Sequence, residues 1–352
     1  MNERPVRVTL ARKSTSFDSP LLGVIKGVCP VTLPVRRLKR ITSSTSPYQK
    51  PNFASPNLYS SPSRLYTLLK CYTWREVKGH LGHVIGRGGF GKVYKAHIHG
   101  FDLAVKRLRY TMMNKNTIMK SLQSERLAVG LSHRNVVATY HINDQTDPAY
   151  IIMEYVGSQT LQHIIDDTSI RQERVKYYGH DVASALEYIH SLNLVHLDVK
   201  PSNVLITCYN LAKLGDFGCS QKLHWDDVGD SISPTNRSDI TGTVAYRAPE
   251  LLKGSPPACS ADIYAFGILL WQMLSLKHPY LGRDNHMVIF AVVAHGLRPS
   301  LSCIESADDD LVTLCQQCWS ANALSRPSAS NIIKVLENLC AEQDVHIRRL
   351  LF

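Results

Sequence analysis

The stretch His196-Leu-Asp-Val-Lys-Pro-Ser-Asn203 places a carboxylate, an ammonium group and an amide close together in the chain. Phosphoryl transfer to a hydroxyl needs a carboxylate that orients the hydroxyl and accepts its proton, and Asp198 suits that role. The charge of Lys200 can neutralise the transferring group, and the amide oxygen of Asn203 suits Mg²⁺, a hard cation. These three side chains are therefore candidate catalytic residues, and Asn203 is also a candidate metal ligand.

A second carboxylate follows in Asp216-Phe-Gly218, thirteen residues after Asn203. We expect Asp216 to bind the Mg²⁺ that bridges the phosphates of a nucleotide. Ala248-Pro-Glu250 then ends a segment of the length expected for an activation loop. Each motif alone could be ordinary loop sequence, but their order and intervals together indicate phosphoryl transfer.

A glycine-rich stretch, Gly86-Arg-Gly-Gly-Phe-Gly-Lys-Val93, lies between two segments that alternate like strands. Glycine lets backbone N–H groups approach phosphate oxygens without a Cβ clash. A dinucleotide site carries a similar pattern but opens a helix next, whereas Lys92–Ala96 and Leu103–Lys106 continue as strands. The candidate nucleotide-binding residues here are Ile85, Gly86, Arg87, Gly88, Gly89, Phe90, Gly91, Lys92 and Val93.

Lys106 follows this stretch at a strand position that we expect to face the same site. The only acidic residue between Arg107 and Ser132 is Glu125, on the inner face of a predicted helix. An ion pair between Lys106 and Glu125 would direct the ammonium group toward the α- and β-phosphates. The alternative is that Glu125 is an exposed helix carboxylate without such a role.

The periodicity of the chain predicts an α+β fold. Three antiparallel strands are expected between His80 and Arg109, and a short buried strand over Tyr150–Tyr155. A helix is expected over Asn116–Leu131, with Ile118, Leu122, Glu125 and Val129 on one face. Helical spacing dominates after Val156. These patterns indicate a small antiparallel β lobe with one key helix, a larger helical lobe, and a cleft between the two.

The formal net charge of +11 is concentrated at the N-terminus. Residues 1–73 contain 12 Lys/Arg and 2 Asp/Glu, and the remaining 28 basic and 27 acidic residues nearly cancel. We predict that this basic, Ser/Pro-rich region is mostly disordered. It lacks the folded motif or regular aromatic residues expected of a nucleic-acid binder. Its four Ser-Pro steps, at Ser19, Ser46, Ser55 and Ser61, are either turn sequence or sites for proline-directed kinases.

Cysteine usage and hydropathy indicate a cytoplasmic protein. Nine cysteines are scattered without the spacing of a disulfide framework. No apolar run approaches the ~20 residues of a membrane-spanning helix. We therefore expect reduced thiols and no membrane span.

The ordered motifs from Gly86 to Arg326 resemble the eukaryotic protein kinase family. The resemblance implies ATP and Mg²⁺ as cofactors and a kinase domain over residues 74–341, with a small lobe at about 74–155, a large lobe at about 156–341 and a short tail at 342–352. It also implies nucleotide contacts from residues along the cleft, namely Ala104, Met153, Glu154, Val156 and Leu205.

The resemblance further implies structural contacts and a substrate type. Lys200 together with Thr243, whose hydroxyl is expected to bridge Asp198 and Lys200, favours serine/threonine over tyrosine as acceptor. Glu250 is expected to pair with Arg326. Asp262 is expected to hold the backbone of the catalytic loop. Most members carry arginine where this chain has Leu197, and that arginine pairs with an activation-loop phosphate. We therefore hypothesise that activity does not require activation-loop phosphorylation.

Within the family, Trp74-Arg-Glu-Val77, Asp216-Phe-Gly-Cys-Ser220 and Leu270-Trp-Gln-Met273 are similar to a proto-oncogene branch of germ-cell kinases. That similarity implies a kinase at the top of the mitogen-activated protein kinase cascade, acting on a mitogen-activated protein kinase kinase in oocyte meiotic maturation and metaphase II arrest. We expect the protein to be a monomer. A different upstream kinase of the cascade is an alternative. A pseudokinase scaffold is another, but it would need neither Lys106 nor Asp198.

Overall fold

The computed structural model describes residue 69 and residues 72–88, 91–110, 115–167, 170–223, 243–304 and 308–350. The predictions on the basic N-terminal region up to residue 68, on its Ser-Pro steps, and on Gly89 and Phe90 lie outside the described residues. Most of the segment between Gly218 and Thr243 lies outside them as well.

The small lobe is a five-stranded antiparallel sheet with the order β1-β2-β3-β5-β4. Its strands are β1 (Leu81–Gly88), β2 (Gly91–Ile98), β3 (Phe101–Leu108), β4 (Thr139–Asn143) and β5 (Tyr150–Glu154). The two-residue turn between β2 and β3 has positive φ at His99 (51°) and Gly100 (82°), the combination that matches the twist of a tight hairpin. The three antiparallel strands predicted before Arg109 are confirmed.

Two helices cover this sheet. The first, α1 (Trp74–Gly79), begins with a capping box between Thr73 and Glu76 and buries Val77. Leu69, which precedes the predicted domain boundary, is fully buried in the same apolar cluster. The hydroxyl of Tyr150 donates a hydrogen bond to the carbonyl of Tyr72. Leu69 and Tyr72, which precede the helix, therefore pack against the sheet.

The second helix, α2 (Lys115–Arg126), packs Ile118 and Leu122 against the other face. Its end differs from the prediction, because the helix stops at Arg126 rather than Leu131. Val129 is exposed and was wrongly placed on the inner face. The chain turns there through Gly130, whose φ of 89° no helix accommodates.

The large lobe is mostly helical. Its helices are α3 (Leu161–Asp166), α4 (Gln172–Ser191), α5 (Pro249–Leu252), α6 (Cys259–Ser275), α7 (Asn285–His295), α8 (Asp309–Cys318) and α9 (Ala329–Leu350). Helix α6 is buried along nearly its whole length and forms the centre of the main apolar cluster. It lies so close to α8 that a Cβ built on Gly267 would stand 2.8 Å from the Cβ of Cys318.

Four short strands complete the large lobe. They are β6 (Leu194–Val195), β7 (Val204–Ile206), β8 (Ala212–Leu214) and β9 (Gln221–Lys222), paired as β6-β9 and β7-β8. Helix α9 continues past residue 341 without a break. Within the described residues, no helix has the length and apolar character needed to cross a membrane.

Candidate functional site

Lys106 is held in the middle of β3 between two neighbouring strands, where it pairs with Val93 on one side and Ile151 on the other. Its ammonium nitrogen lies 3.0 Å from Oε1 of Glu125 and 2.7 Å from Oδ1 of Asp216. The Glu125 side chain is only 3% exposed, so it is not the surface carboxylate of the alternative interpretation. One cation thus joins helix α2, strand β3 and the segment after β8.

The charge states of this trio follow from burial and proximity. Burial alone would lower the pKa of Lys106, but the carboxylates of Asp216 and Glu125 outweigh it and raise that pKa. Partial desolvation of the Asp216 carboxylate, whose side chain is 47% exposed, would raise its pKa, but Lys106 outweighs this and holds that pKa well below its usual range. Burial also raises the pKa of Glu125, only partly opposed by Lys106. The Lys106–Asp216 contact is therefore a fully charged pair at neutral pH.

The carboxylate of Asp198 is surrounded by donors. Lys200 Nζ lies 2.7 Å from one carboxylate oxygen, and Thr243 donates to the other through both its N–H (3.0 Å) and its hydroxyl (3.2 Å). Lys200 also donates to the Thr243 hydroxyl at 2.7 Å, so the expected bridge is present. Asn203 Nδ2 donates to the Asp198 carboxylate at 2.9 Å and to its carbonyl at 2.8 Å. The amide oxygen of Asn203 is left as an acceptor.

The catalytic loop, which we define as residues His196–Asn203, is held in place by Asp262 of helix α6. This fully buried carboxylate accepts hydrogen bonds from the backbone N–H groups of His196 and Leu197, both at 2.8 Å, and lies 2.9 Å from the ring of His190. Burial would raise the pKa of Asp262, but these donors outweigh it and lower that pKa. The expected attachment of the loop is therefore present, and His190 is a partner that no local pattern indicated.

Asp216 reaches the cleft through an unusual backbone conformation, with φ at 60°. Phe217 is buried with its ring edge-on to His196, at a centroid distance of 4.9 Å. Gly218 lies directly under helix α2, because a Cβ at that position would stand 2.5 Å from Oγ of Ser121. The triplet thus turns the Asp216 carboxylate toward Lys106 while its neighbours are fixed by packing.

The glycine-rich stretch forms the end of β1 and the start of β2. Gly86, Arg87 and Gly88 pair with Val93, Lys92 and Gly91, and Ile85 precedes them in β1. Gly91 has a packing role that the motif did not indicate: a Cβ there would stand 1.9 Å from the carbonyl oxygen of Arg107. Nothing lies within 4 Å of a Cβ built on Gly88.

The strand β5 leads from the small lobe toward the large one. Ala104 pairs with Met153, and Leu103 pairs with Glu154. The Glu154 carboxylate is bound to Lys213 at 2.8 Å and accepts from the N–H of Ala138 at 3.1 Å. Lys213 lies in β8, so this pair, which sequence reasoning missed, ties the connection to the large lobe. Val156 follows in the connection, and Leu205 lies in β7.

The turn Ala248–Glu250, which ends the activation segment, is fixed by the expected ion pair of Glu250 with Arg326. Arg326, whose side chain is fully buried, donates to both carboxylate oxygens of Glu250, at 2.6 and 2.8 Å. Its guanidinium also lies over the ring of Tyr264, 5.1 Å from the centroid. The bidentate contact of Arg326 with Glu250, together with the stacking on Tyr264 of helix α6, sets the position of the Ala248–Glu250 turn relative to that helix.

Comparison with known proteins agrees with this geometry. The family model for the protein kinase domain matches residues 80–336. The serine/threonine-protein kinase mos of Patiria pectinifera is 44% identical over 277 residues, 75% of this chain and 78% of that protein. The kinase mos of Xenopus laevis is 39% identical over 280 residues, covering 76% and 77%. The proto-oncogene serine/threonine-protein kinase mos of Sus scrofa is 38% identical over 312 residues, covering 81% and 88%.

The two-lobed fold, the kinase family match over most of the chain and the mos relatives agree with one another. A protein kinase domain uses ATP as its phosphoryl donor. The proto-oncogene branch that the sequence motifs resembled is the Mos branch. This chain is a serine/threonine protein kinase and belongs to the Mos family.

Proposed function

We propose that this kinase phosphorylates a mitogen-activated protein kinase kinase and thereby controls oocyte meiotic maturation and metaphase II arrest. Membership of the Mos family supports the choice of substrate. The single observation that supports catalysis most strongly is the contact of Lys106 with both Glu125 and Asp216, because it assembles groups from both lobes at one point.

In the proposed mechanism, Asp198 orients the attacking serine or threonine hydroxyl and accepts its proton. Its carboxylate is held in place by Thr243 and Lys200, so little rearrangement is needed when substrate binds. The Lys200 ammonium group also offsets negative charge on the phosphoryl group in transfer. Lys106 binds the α- and β-phosphates, and Glu125 fixes the direction of its side chain.

The residues of the cleft suit a magnesium ion. Asn203 donates through its Nδ2 and offers its amide oxygen as a ligand, and Asp216 has a charged carboxylate, so both supply hard oxygen donors. We propose that these two residues hold Mg²⁺, which would neutralise charge on the nucleotide phosphates. We further propose that the nucleotide itself contacts Ile85, Gly86, Arg87, Gly88, Gly89, Phe90, Gly91, Lys92, Val93, Ala104, Lys106, Glu125, Met153, Glu154, Val156 and Leu205.

Other parts of the proposal concern organisation. We infer a kinase domain over residues 74–341 that acts as a cytoplasmic monomer, with residues 1–73 as a basic arm and residues 342–352 as a tail. The Ser-Pro steps of the arm are proposed sites for proline-directed kinases. A different upstream kinase of the same cascade is the second candidate. A pseudokinase scaffold is disfavoured because the whole set around Lys106 and Asp198 is retained.

The test is transfer of phosphate from Mg-ATP to a catalytically dead mitogen-activated protein kinase kinase, with Asp198→Asn and Lys106→Arg as controls. We expect phosphate on the activation-loop serines of the substrate, lost in both variants. Phosphate on a generic protein but not on this substrate would keep the kinase and reject the proposed substrate. Retained ATP binding without transfer to any protein would favour the scaffold.

A further inference from the structure

A cavity of about 300 Å³ lies beside the catalytic loop. Four segments of the large lobe line it, namely helix α3, the catalytic loop, the turn Val244–Tyr246 with Thr243 before it, and the connection that follows helix α6. The polar side chains that line it are Gln162, Lys200, Ser202, Thr243, Tyr246 and His278. At about 30 Å³ for each water molecule, the space equals that of roughly ten waters, so an amino-acid side chain can enter it.

The cavity adjoins the position at which the acceptor hydroxyl must lie. Lys200 and Thr243 both line it, and both are hydrogen-bonded to the carboxylate of Asp198, at 2.7 and 3.2 Å. Asp198 is the residue to which we assign the orientation of that hydroxyl. A protein segment bound with its serine or threonine at Asp198 would therefore bring a neighbouring side chain to the cavity.

Two of the lining side chains, Gln162 and Tyr246, belong to a network of neutral groups. The hydroxyl of Tyr246 donates to Oε1 of Gln272, a fully buried side chain of helix α6. Nε2 of Gln272 donates to Oε1 of Gln162 at 3.2 Å, and Nε2 of Gln162 donates to Oδ1 of Asp166 at 2.8 Å. Because burial raises the pKa of Tyr246, its hydroxyl stays protonated at neutral pH. The network therefore presents no charge to the cavity.

The cavity offers no counter-charge to a basic side chain. Among the described residues that line it, none is Asp or Glu. Asp166, which binds Gln162, also lies 3.3 Å from Nε2 of His278, and Asp198 is already bound by Lys200. A lysine or arginine in the cavity would therefore lose water and meet the charge of Lys200 without gaining an ionic partner.

An uncharged side chain fits the remaining features of the cavity. Ala245 and Pro279 line it together with Tyr246, so apolar surface can be buried there. The charge of Lys200 is balanced by Asp198 at 2.7 Å, and an acidic side chain would have to compete with that pair. The geometry thus disfavours both kinds of charge, and the basic kind most.

We propose that this cavity binds a substrate side chain close to the acceptor serine or threonine, and that its neutral lining selects an uncharged, largely apolar side chain and rejects lysine and arginine. Gln272 and Ser202 determine this selectivity. Gln272 keeps the buried network neutral, and Ser202 is an exposed, uncharged position of the catalytic loop. The inference rests on the proposed role of Asp198, but it holds whichever protein is the substrate.

The test measures kcat/KM of the full-length kinase for peptides with a single acceptor serine. At each of the nearest positions on either side of the serine in turn, the peptides carry leucine, glutamine, glutamate or arginine. At the position whose side chain enters the cavity, we expect arginine to lower kcat/KM about tenfold or more relative to leucine. Glutamine should stay within about threefold of leucine, since the network can accept its hydrogen bonds.

A Ser202→Glu variant adds a carboxylate to the lining and should reverse this preference. We expect kcat/KM for the arginine peptide to rise about tenfold, while the leucine peptide changes little. Ser202→Gln is the matched control, because it adds similar bulk without charge and should keep the order of the peptides as in wild type. Tyr209→Glu adds the same charge on the exposed turn between β7 and β8 and should also keep that order.

Several outcomes would overturn the inference. Equal kcat/KM for leucine and arginine at every position, with transfer intact, would leave the proposed function standing and show that the cavity selects nothing. A preference for glutamate over leucine would mean that Lys200 sets the selectivity rather than the neutral network. An unchanged order of the peptides in Ser202→Glu would separate the preference from this cavity. Transfer to no peptide and no protein would reject the proposed role of Asp198 together with this inference.

Discussion

The ammonium nitrogen of Lys106 lies 2.7 Å from Oδ1 of Asp216, although 110 residues separate the two positions in the chain. Lys106 belongs to the central strand of the small lobe, and Asp216 follows β8 of the large lobe. The contact therefore joins the two lobes across the cleft. Because Glu125 binds the same ammonium group, helix α2 is fixed in the same arrangement.

Replacement of Lys106 by Met should abolish kinase activity and lower the free energy of unfolding. Glu125 would be left buried without its cation, and breaking a buried pair in this way costs about 3 kcal/mol. The double variant Lys106→Met/Glu125→Gln should recover a large part of that free energy of unfolding but none of the kinase activity. Urea unfolding and a phosphotransfer assay measure the two effects. Equal stability of the single and double variants would contradict a coupled pair.

Arg326→Lys should destabilise the protein despite keeping the charge. A lysine cannot reproduce the two-pronged contact with Glu250 or the stacking over Tyr264. We expect a loss of about 2 kcal/mol in the free energy of unfolding. Arg126→Lys is the matched control, because the pair of Arg126 with Asp144 is half exposed and worth well under about 1 kcal/mol. Similar melting temperatures for both variants would reject the argument.

Gly267→Ala should destabilise the large lobe by about 2 kcal/mol, because the added methyl group would meet the Cβ of Cys318 at 2.8 Å and backbone atoms of α8 within 3.3 Å. Helices α6 and α8 would have to move apart. Gly79→Ala serves as the control, since nothing lies within 4 Å of its Cβ and it ends helix α1. That change should be neutral or slightly stabilising. Thermal unfolding of both variants decides the question.

Cys219, which directly follows the Asp216–Gly218 triplet, should react slowly with alkylating reagents. Burial, with the nearby carboxylates of Asp198 and Asp216, raises the pKa of the Cys219 thiol to about 11. A raised pKa means that the thiol is protonated below that value, so at pH 8 roughly one molecule in a thousand carries the thiolate. Alkylation should therefore accelerate about tenfold per pH unit between pH 8 and 10.

Mass spectrometry of peptides from iodoacetamide-treated protein measures this rate. Cys208 is exposed and should be modified before Cys219 at pH 8. A Cys219→Ser variant confirms the assignment of the modified peptide. Modification of Cys219 as fast as Cys208 at pH 8 would contradict the partial burial of the Cys219 thiol.

Because Leu197 stands where most family members carry the arginine that pairs with an activation-loop phosphate, we predict that phosphatase treatment leaves kinase activity largely intact. A leucine side chain cannot bind a phosphate, and here it packs against the apolar cluster of the large lobe. Its backbone N–H is bound to Asp262 at 2.8 Å, so the loop is held without any phosphate. Activity of phosphatase-treated protein toward a generic substrate is the measurement. A loss of more than about tenfold, reproduced by mutation of a single phosphorylated residue, would contradict the hypothesis.

Much of the fold could be predicted because the apolar residues of its strands and helices repeat with clear periods along the chain. The three-stranded start of the sheet and the helical region after Val156 lie where the alternation and helical spacing put them. The end of α2 could not be predicted this way. The apolar residues continue past Arg126 to Val129, but the backbone at Gly130 and the bridge of Val129 to Thr139 end the helix earlier.

Only some of the long-range contacts in the site could be predicted from the sequence. The pairing of Lys106 with Glu125 was predicted because a single acidic residue was available, and Asp262 was predicted from the family resemblance. The contacts of His190 with Asp262 and of Lys213 with Glu154 have no local signal, since 72 and 59 residues separate the partners. The requirement for glycine at position 91 likewise depends on the carbonyl of Arg107 in the next strand.

The sequence by itself determined the reaction class, because Asp198, Asn203 and Asp216 occur in an order and spacing that suit phosphoryl transfer. It also determined the lobe order, since strand-like alternation precedes helical spacing. Only the tertiary structure decided which charges meet and which surfaces stay open. Burial of Glu125 beside Lys106 and the exposure of Phe290 on α7 both depend on how separate elements pack, and packing energies arise between residues that are distant in the chain.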